Sequence, residues 1–230
     1  MENKMSSLPK IIHPEADYLE LERLGTKLGI PVPSVRITIE ATKDGKVTGR
    51  YHARSHTWNR NYWNSILNLI TGNNWVATNF GTGYLSVKAT DTVVAAITGG
   101  PVYFTNRAPV SNATYGIIFG RGVGAESFEG YVLTTPIAEG VAANCFNYAA
   151  MAAITQEWTV GTLTWKITIK RLANNNSGNT ITVSEVSLGY YNSPTTRVYT
   201  FSRDLLAATV DVLNNGQVTG TYEISLTFPQ

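Results

Sequence analysis

The chain has 230 residues, with 18 Lys and Arg against 16 Asp and Glu, a formal charge of +2. Charged residues are only 15%, below the ~25% usual in soluble domains, which excludes a strongly basic nucleic-acid coat and an acidic solvating tail. With 43% apolar and 10% aromatic residues the chain can bury a core, so disorder throughout is excluded as well; the surface left over is neutral and rich in Thr, Asn, Ser and Gly.

Residues 1–34 hold four of the nine prolines, Pro9, Pro14, Pro31 and Pro33. Between them Tyr18, Leu21, Leu24 and Leu28 recur at spacings of three and four. That spacing predicts a short helix over 16–28, with Gly29 as its stop. Residues 1–33 therefore read as an extended N-terminal arm carrying one helix. The arm cannot bury the stripe alone, so it must lie on its own body or on a neighbour. Tyr18, Leu21 and Leu24 are candidate interface residues on this ground.

From Ser34 the period becomes two. Val35, Ile37 and Ile39 alternate with polar residues, Asp44-Gly45 is a turn signal, and alternation resumes from Val47 to Ala53, which predicts a hairpin. The densest aromatic stretch follows, over 51–64. Thr57 is the expected cap of an amphipathic helix running to about Ile70, with Tyr62, Ile66, Leu69 and Ile70 on one face and Gly72 as its end. Trp58, Arg60, Tyr62 and Trp63 join the interface candidates.

Residues 73–100 are rich in Gly, Thr and Asn. They predict a weak strand at 84–88 and a short buried strand or apolar loop over 92–97. The run 115–120 predicts a core strand, Gly120-Arg121-Gly122-Val123-Gly124 a sharp turn, 131–133 an extended segment, and 149–154 either helix or strand. The last 75 residues read as β. Trp158 and Val160 alternate on one parity and Leu163, Trp165, Ile167 and Ile169 on the other, which predicts a bulge or bend at Gly161-Thr162. The same parity break between Ile181, Val183 and Val186, Leu188 predicts a bulge near Ser184-Glu185. A strand over 197–202, a turn at Asn214-Asn215-Gly216 and a final strand from Val218 to Phe228 complete the pattern. The expected fold is mainly β: an antiparallel, jelly-roll-like β-sandwich over 34–230, with one short amphipathic helix.

The groups that could carry chemistry are few. Cys145 is the one cysteine, in an apolar setting, so no disulfide framework exists and a small buried hydrophobe is expected. His52 and His56 are four apart, but the first falls in strand alternation and no nearby Cys or carboxylate completes a metal site. His13 stands alone. The glycine-rich run lacks the Lys-Ser/Thr of a phosphate loop and no good helix follows it. No catalytic, cofactor or metal residues are expected, and no enzyme. The arginines are dispersed, so no nucleic-acid partner is expected. The start has no apolar core of a secretory signal and no apolar run reaches the ~18 residues of a spanning helix, so no membrane partner is expected and synthesis in a cytosol is. Glu185 stands inside an apolar strand, and Arg203 follows another. A buried charge requires a partner, so Glu185 and Arg203 are expected to form a structural ion pair that pins register.

Several segments, taken together, carry a resemblance. Ser55-His56-Thr57-Trp58-Asn59-Arg60-Asn61-Tyr62 resembles the Ser-x-Ser/Thr-Trp-x-Arg-Asn-aromatic segment of tailed-bacteriophage virion proteins. Gly116-Ile117-Ile118-Phe119-Gly120-Arg121-Gly122, with Tyr131-Val132-Leu133 and Pro136-Ile137, is similar to their Gly-Ile-x-x-Gly-x-Gly block. Asn175-Asn176-Ser177-Gly178, Ile181 to Leu188 and Ser202-Arg203-Asp204 look like their closing segment, with Ser187 where glycine is usual and Ser202 where alanine is. The likeness runs from about Gly45 to the C-terminus. It implies a non-enzymatic β-sandwich building block of a virion, in tail or neck, that meets copies of itself and other virion proteins. A head decoration protein is one alternative. A carbohydrate-binding adhesin module that recognises host glycans is another.

Overall fold

The computed structural model describes residues 15–55, 57–71, 87–88, 90, 94–95, 104–193 and 196–229. Expectations that fall on 1–14 (His13 among them), His56, Gly72, 73–86, 92–93 and 96–97 lie outside them.

Helix α1 spans Glu15–Leu28. Its end satisfies the last carbonyls by local geometry: Gly29 has φ 68°, Ile30 N donates to Gly25 O at 2.9 Å and Gly29 N to Thr26 O at 3.3 Å, the Schellman pattern. Gly25 is the buried residue of the helix. A Cβ there would stand 2.4 Å from Val32 Cγ2, so the absent side chain is what allows the helix to approach the sheet. Tyr18, Glu22 and Gly25 face the body, whereas Leu21, Leu24 and Leu28 are exposed. The leucine stripe is thus not spent on the helix's own body.

Strands β1 (Val32–Lys43) and β2 (Lys46–Arg54) form the expected hairpin. Asp44 and Gly45 take φ 51° and 74° at its tip, the left-handed turn that matches strand twist. Helix α2 spans Arg60–Thr71. It begins later than a Thr57 cap would place it: Asn59 Oδ1 accepts from Tyr62 N at 3.3 Å and is the cap. Two short strands, β3 (Val87–Lys88) and β4 (Val94–Ala95), pair with each other. Then come β5 (Phe104–Thr105), β6 (Gly116–Gly120), β7 (Ala138–Glu139), β8 (Cys145–Tyr148), β9 (Thr155–Thr159), β10 (Thr164–Asn175), β11 (Ile181–Asn192), β12 (Arg197–Val212) and β13 (Gly216–Thr227).

One sheet runs β2-β1-β13-β10-β8-β7 with β9 also on β10; the second runs β12-β11-β5 with β6 also on β11. The protein is mainly β, as expected. The pairing of β7 with β8 is parallel, a departure from a wholly antiparallel fold. Ile37, Ile39, Ile169 and Tyr222 of the first sheet share one buried cluster with Ile117, Phe119, Val186 and Leu188 of the second. That cluster is the core between two sheets whose inward residues alternate along each strand.

Four expectations are corrected. The parity break at Gly161-Thr162 is not a bulge within one strand. A single 3-10 turn at Val160–Thr162, followed by Leu163 at φ 47°, reverses the chain, and Trp158 faces Trp165 across the resulting hairpin. Residues 120–124 form no turn; they continue extended out of β6, and their glycines serve a close approach described below. Residues 131–133 and 149–154 lie outside regular elements. The register shift between Val183 and Glu185 does fall where parity placed a bulge.

Candidate functional site

The polar centre of the molecule is the Glu185 carboxylate. Glu185 lies on β11 and is 0% exposed. Its Oε1 accepts from Gly122 N at 3.0 Å and Thr135 N at 2.8 Å; its Oε2 accepts from Thr134 N at 3.1 Å and Arg203 Nε at 2.8 Å. Arg203, on the paired strand β12, donates onward to Ala125 O at 2.9 Å, Gly124 O at 2.7 Å and Thr134 Oγ1 at 2.7 Å. The two residues named as an ion pair are therefore brought together. The partnership does more than join two strands: it fastens the whole segment 120–135 onto β11. Glycine is required there. A Cβ on Gly120 or Gly122 would stand 2.6 Å or 2.4 Å from Glu185 Oε1.

Next to this pair lies a second buried carboxylate. Asp204 accepts from Ser55 Oγ at 3.0 Å and from Tyr222 Oη at 3.4 Å, and Ser202 Oγ donates to Tyr222 Oη at 3.3 Å. Burial, with Asp204 close by, pushes the Tyr222 phenol well above its ordinary range. The aromatic segment docks alongside. Thr57 Oγ1 donates to Arg203 O, and Trp58 bridges Ser202. Asn59 Nδ2 donates to Gly130 O at 2.6 Å and Thr200 O at 2.8 Å.

Arg171 is a buried cation that the sequence reading passed over. It is 0% exposed on β10 and donates to five carbonyls, those of Ala149, Tyr115, Ile117, Pro109 and Asn112. Its guanidinium also lies 4.6 Å from the Tyr148 ring centroid. Burial pulls its pKa below the ordinary arginine value. A usable signal was present: Arg171 shares the inward parity of Ile167, Ile169 and Ala173.

The interface candidates separate into two groups. Tyr18 is half-buried, its ring 4.6 Å from the Arg54 guanidinium. Trp58 and Tyr62 are half-buried, with ring centroids 4.2 Å apart, and belong to the docking of α2. Arg60 pairs with Glu129 and lies 5.5 Å from the Phe128 ring centroid. Leu21, Leu24 and Trp63 are exposed, at 48%, 38% and 49%. Exposed aromatic residues that the reading did not single out sit at the far end of the large sheet. Trp158 and Trp165 are 50% and 43% exposed, and Phe228 lies 6.0 Å from Trp158. Beside α1 the last residues of β13 help line an open cleft of about 520 Å³, with Glu22, Ile30 and Thr227 in its wall.

Chemically, the buried carboxylates accept from backbone and side-chain donors. Among the described residues no three His, Cys, Asp or Glu side chains stand close enough to hold a metal ion. No described helix is long and apolar enough to cross a membrane. Comparison with protein-family models, with curated proteins and with solved structures yields no match.

Proposed function

We propose that the chain is a non-enzymatic structural component of a tailed-phage virion, in the tail or neck, which assembles with copies of itself through uncharged, aromatic and amide-rich surfaces and its N-terminal helix. One observation carries the reading. Four of the segments that bear the resemblance, 55–62, 116–122, 181–188 and 202–204, meet around the Glu185–Arg203 centre, although Ser55 and Asp204, bonded beside it, are 149 residues apart. Short motifs scattered over a chain are what a shared load of buried polar contacts requires, because each partner must be kept to avoid an unpaired charge. The exposed Leu21, Leu24 and Leu28 stripe, on a helix anchored by its other face, supports contact with a neighbour. The test is mass spectrometry of purified particles together with add-back. The protein is expected in the particle, and the purified chain is expected to bind particles that lack it and not host envelopes. Absence from the particle overturns the reading.

A second reading rests on Trp158 and Trp165. Two half-exposed indoles facing each other across a hairpin offer flat apolar faces for a sugar ring, which suits a glycan-binding module. Titration of tryptophan fluorescence with host glycans distinguishes it: quenching that is lost in Trp158→Ala favours the adhesin, and an unchanged spectrum removes it.

A further inference from the structure

Strand β9 is exposed at every position and, among the described residues, pairs with β10 alone. Among the described residues, its other side has no strand partner for its N–H and C=O groups. Soluble proteins blunt such an edge with Lys, Pro or a bulge, because an open edge recruits another chain. β9 reads Thr-Gln-Glu-Trp-Thr and has no Lys or Pro. It is followed by Val160, 72% exposed.

At the opposite end of the same sheet, β2 pairs with β1 alone among the described residues. Its irregularity lies at the hairpin tip, and Gly49 to Ala53 hold regular register with β1. The two ends differ in charge. The charged residue of β9 is Glu157, whereas β2 carries Lys46, Arg50 and Arg54 and no acid. They also agree in direction. Four antiparallel pairings lead from β2 through β1, β13 and β10 to β9, so β9 and β2 run the same way. They agree in face as well. Trp158 is paired with Trp165, which has the inward parity of Ile169, so Glu157 is on the outer face; Tyr51 is paired with inward Ile39, so Arg50 is also on the outer face.

We propose that the β9 edge of one copy adds in parallel to the β2 edge of the next copy, with Glu157 beside Arg50, so that the large sheet continues from subunit to subunit. The inference rests on the building-block reading and supplies its contact. Because the two surfaces differ, the contact is head to tail, and it closes into a ring or runs on as a filament. Glu157 now pairs with Lys166 at 2.8 Å and Arg50 lies 3.7 Å from Glu40; exposed pairs of this kind are weak and exchange partners readily.

The test uses the full chain in a Cys145→Ala background. Glu157→Cys and Arg50→Cys are made as separate chains and co-expressed, then oxidised mildly. Adjacent strands bring Cα atoms within disulfide range, so a cross-linked dimer is expected from the co-expressed pair and from neither chain alone. In parallel, Glu157→Arg and Arg50→Glu are each expected to lower the sedimenting mass, and the double exchange to restore it. Both positions are exposed, so a circular-dichroism spectrum unchanged from the parent confirms that folding is intact. Cross-linking of Glu157→Cys to itself points to a two-fold contact and overturns the proposal. A monomeric parent chain, or no product from the co-expressed pair, overturns it too. Multimers that ignore both charge reversals overturn this contact while leaving the building-block reading standing, since that reading falls only if the chain is missing from particles.

Discussion

Glu185 and Arg203 illustrate how a charge is retained inside a β core. Removing both from water is costly, and their mutual attraction offsets this only if the remaining polar atoms are also bonded. Glu185 meets that condition with three backbone N–H groups and one guanidinium. Breaking one side leaves an unpaired buried charge, so Glu185→Leu or Arg203→Leu is expected to lower stability by about 3–5 kcal/mol. Because the two act as a unit, the double variant is expected to lose at least ~1 kcal/mol less than the sum. Urea denaturation of the four proteins measures this, and additive losses would refute the coupling. Arg171 poses the complementary case, a cation satisfied by carbonyls. A lysine has neither the fork nor the reach for five acceptors. Arg171→Lys is therefore expected to fall close to Arg171→Met, each losing about 3 kcal/mol or more from several orphaned carbonyls. Full rescue by lysine would show that charge alone matters there.

At the level of elements, the two helices are held by opposite means. α2 is fixed at its start by Asn59, whose side chain caps the helix and also bonds Gly130 and Thr200. Loss of a cap costs about 1 kcal/mol, and the two further bonds add to it, so Asn59→Ala is expected to destabilise by about 2 kcal/mol, against near neutrality for Thr57→Ser. Denaturant midpoints check the contrast. α1 is fixed by charge. Arg54 donates to Glu22 at 2.8 Å, to Ser34 at 2.9 Å and to Glu15 at 3.2 Å. The hydrogen bond from Arg54 holds the Glu15 carboxyl below the usual value of 4.5. A depressed carboxyl contributes stability that is present above its unfolded value and lost as pH falls through the folded one. α1 is therefore expected to loosen below about pH 4.5 while the sheets persist, which amide NMR shifts of 15–28 against those of β10 and β13 will report. Helix and sheet melting together would refute it.

For the whole molecule, the consequence is a sandwich whose large sheet, among the described residues, has no strand partner outside β2 or β9. Leu21→Glu with Leu24→Glu, both on the exposed side of α1, is expected to leave the thermal midpoint within a few degrees of the parent and to reduce assembly into particles sharply. A variant that enters particles normally would remove the leucine stripe from the interface. Truncation makes the same point if it stops at Gly29. The sequence boundary at residue 33 falls inside β1, which begins at Val32, so a cut there would damage the sheet as well as remove the helix.

The features that could be read without coordinates are those governed by neighbours in the chain. The Asp44-Gly45 hairpin, the Gly29 helix stop, the parity break before Glu185 and the alternation of β13 all follow from turn stereochemistry and a two-residue pleat, which act over a few bonds. Glu185 also announced a partner, because no strand interior tolerates a lone carboxylate. Other features needed the assembled chain. The Gly120–Gly124 run resembled a turn until the Glu185 side chain filled the space beside it. The parity break at Gly161 was ambiguous between bulge and hairpin because both shift alternation by one. The leucines of α1 outranked Tyr18, Glu22 and Gly25 on hydrophobicity, yet Arg54, about thirty residues away, recruited the polar face. For the glycine run and for α1 the deciding contact joins residues remote in sequence, and such contacts depend on which surfaces folding brings within a few ångströms, a quantity that no local pattern contains.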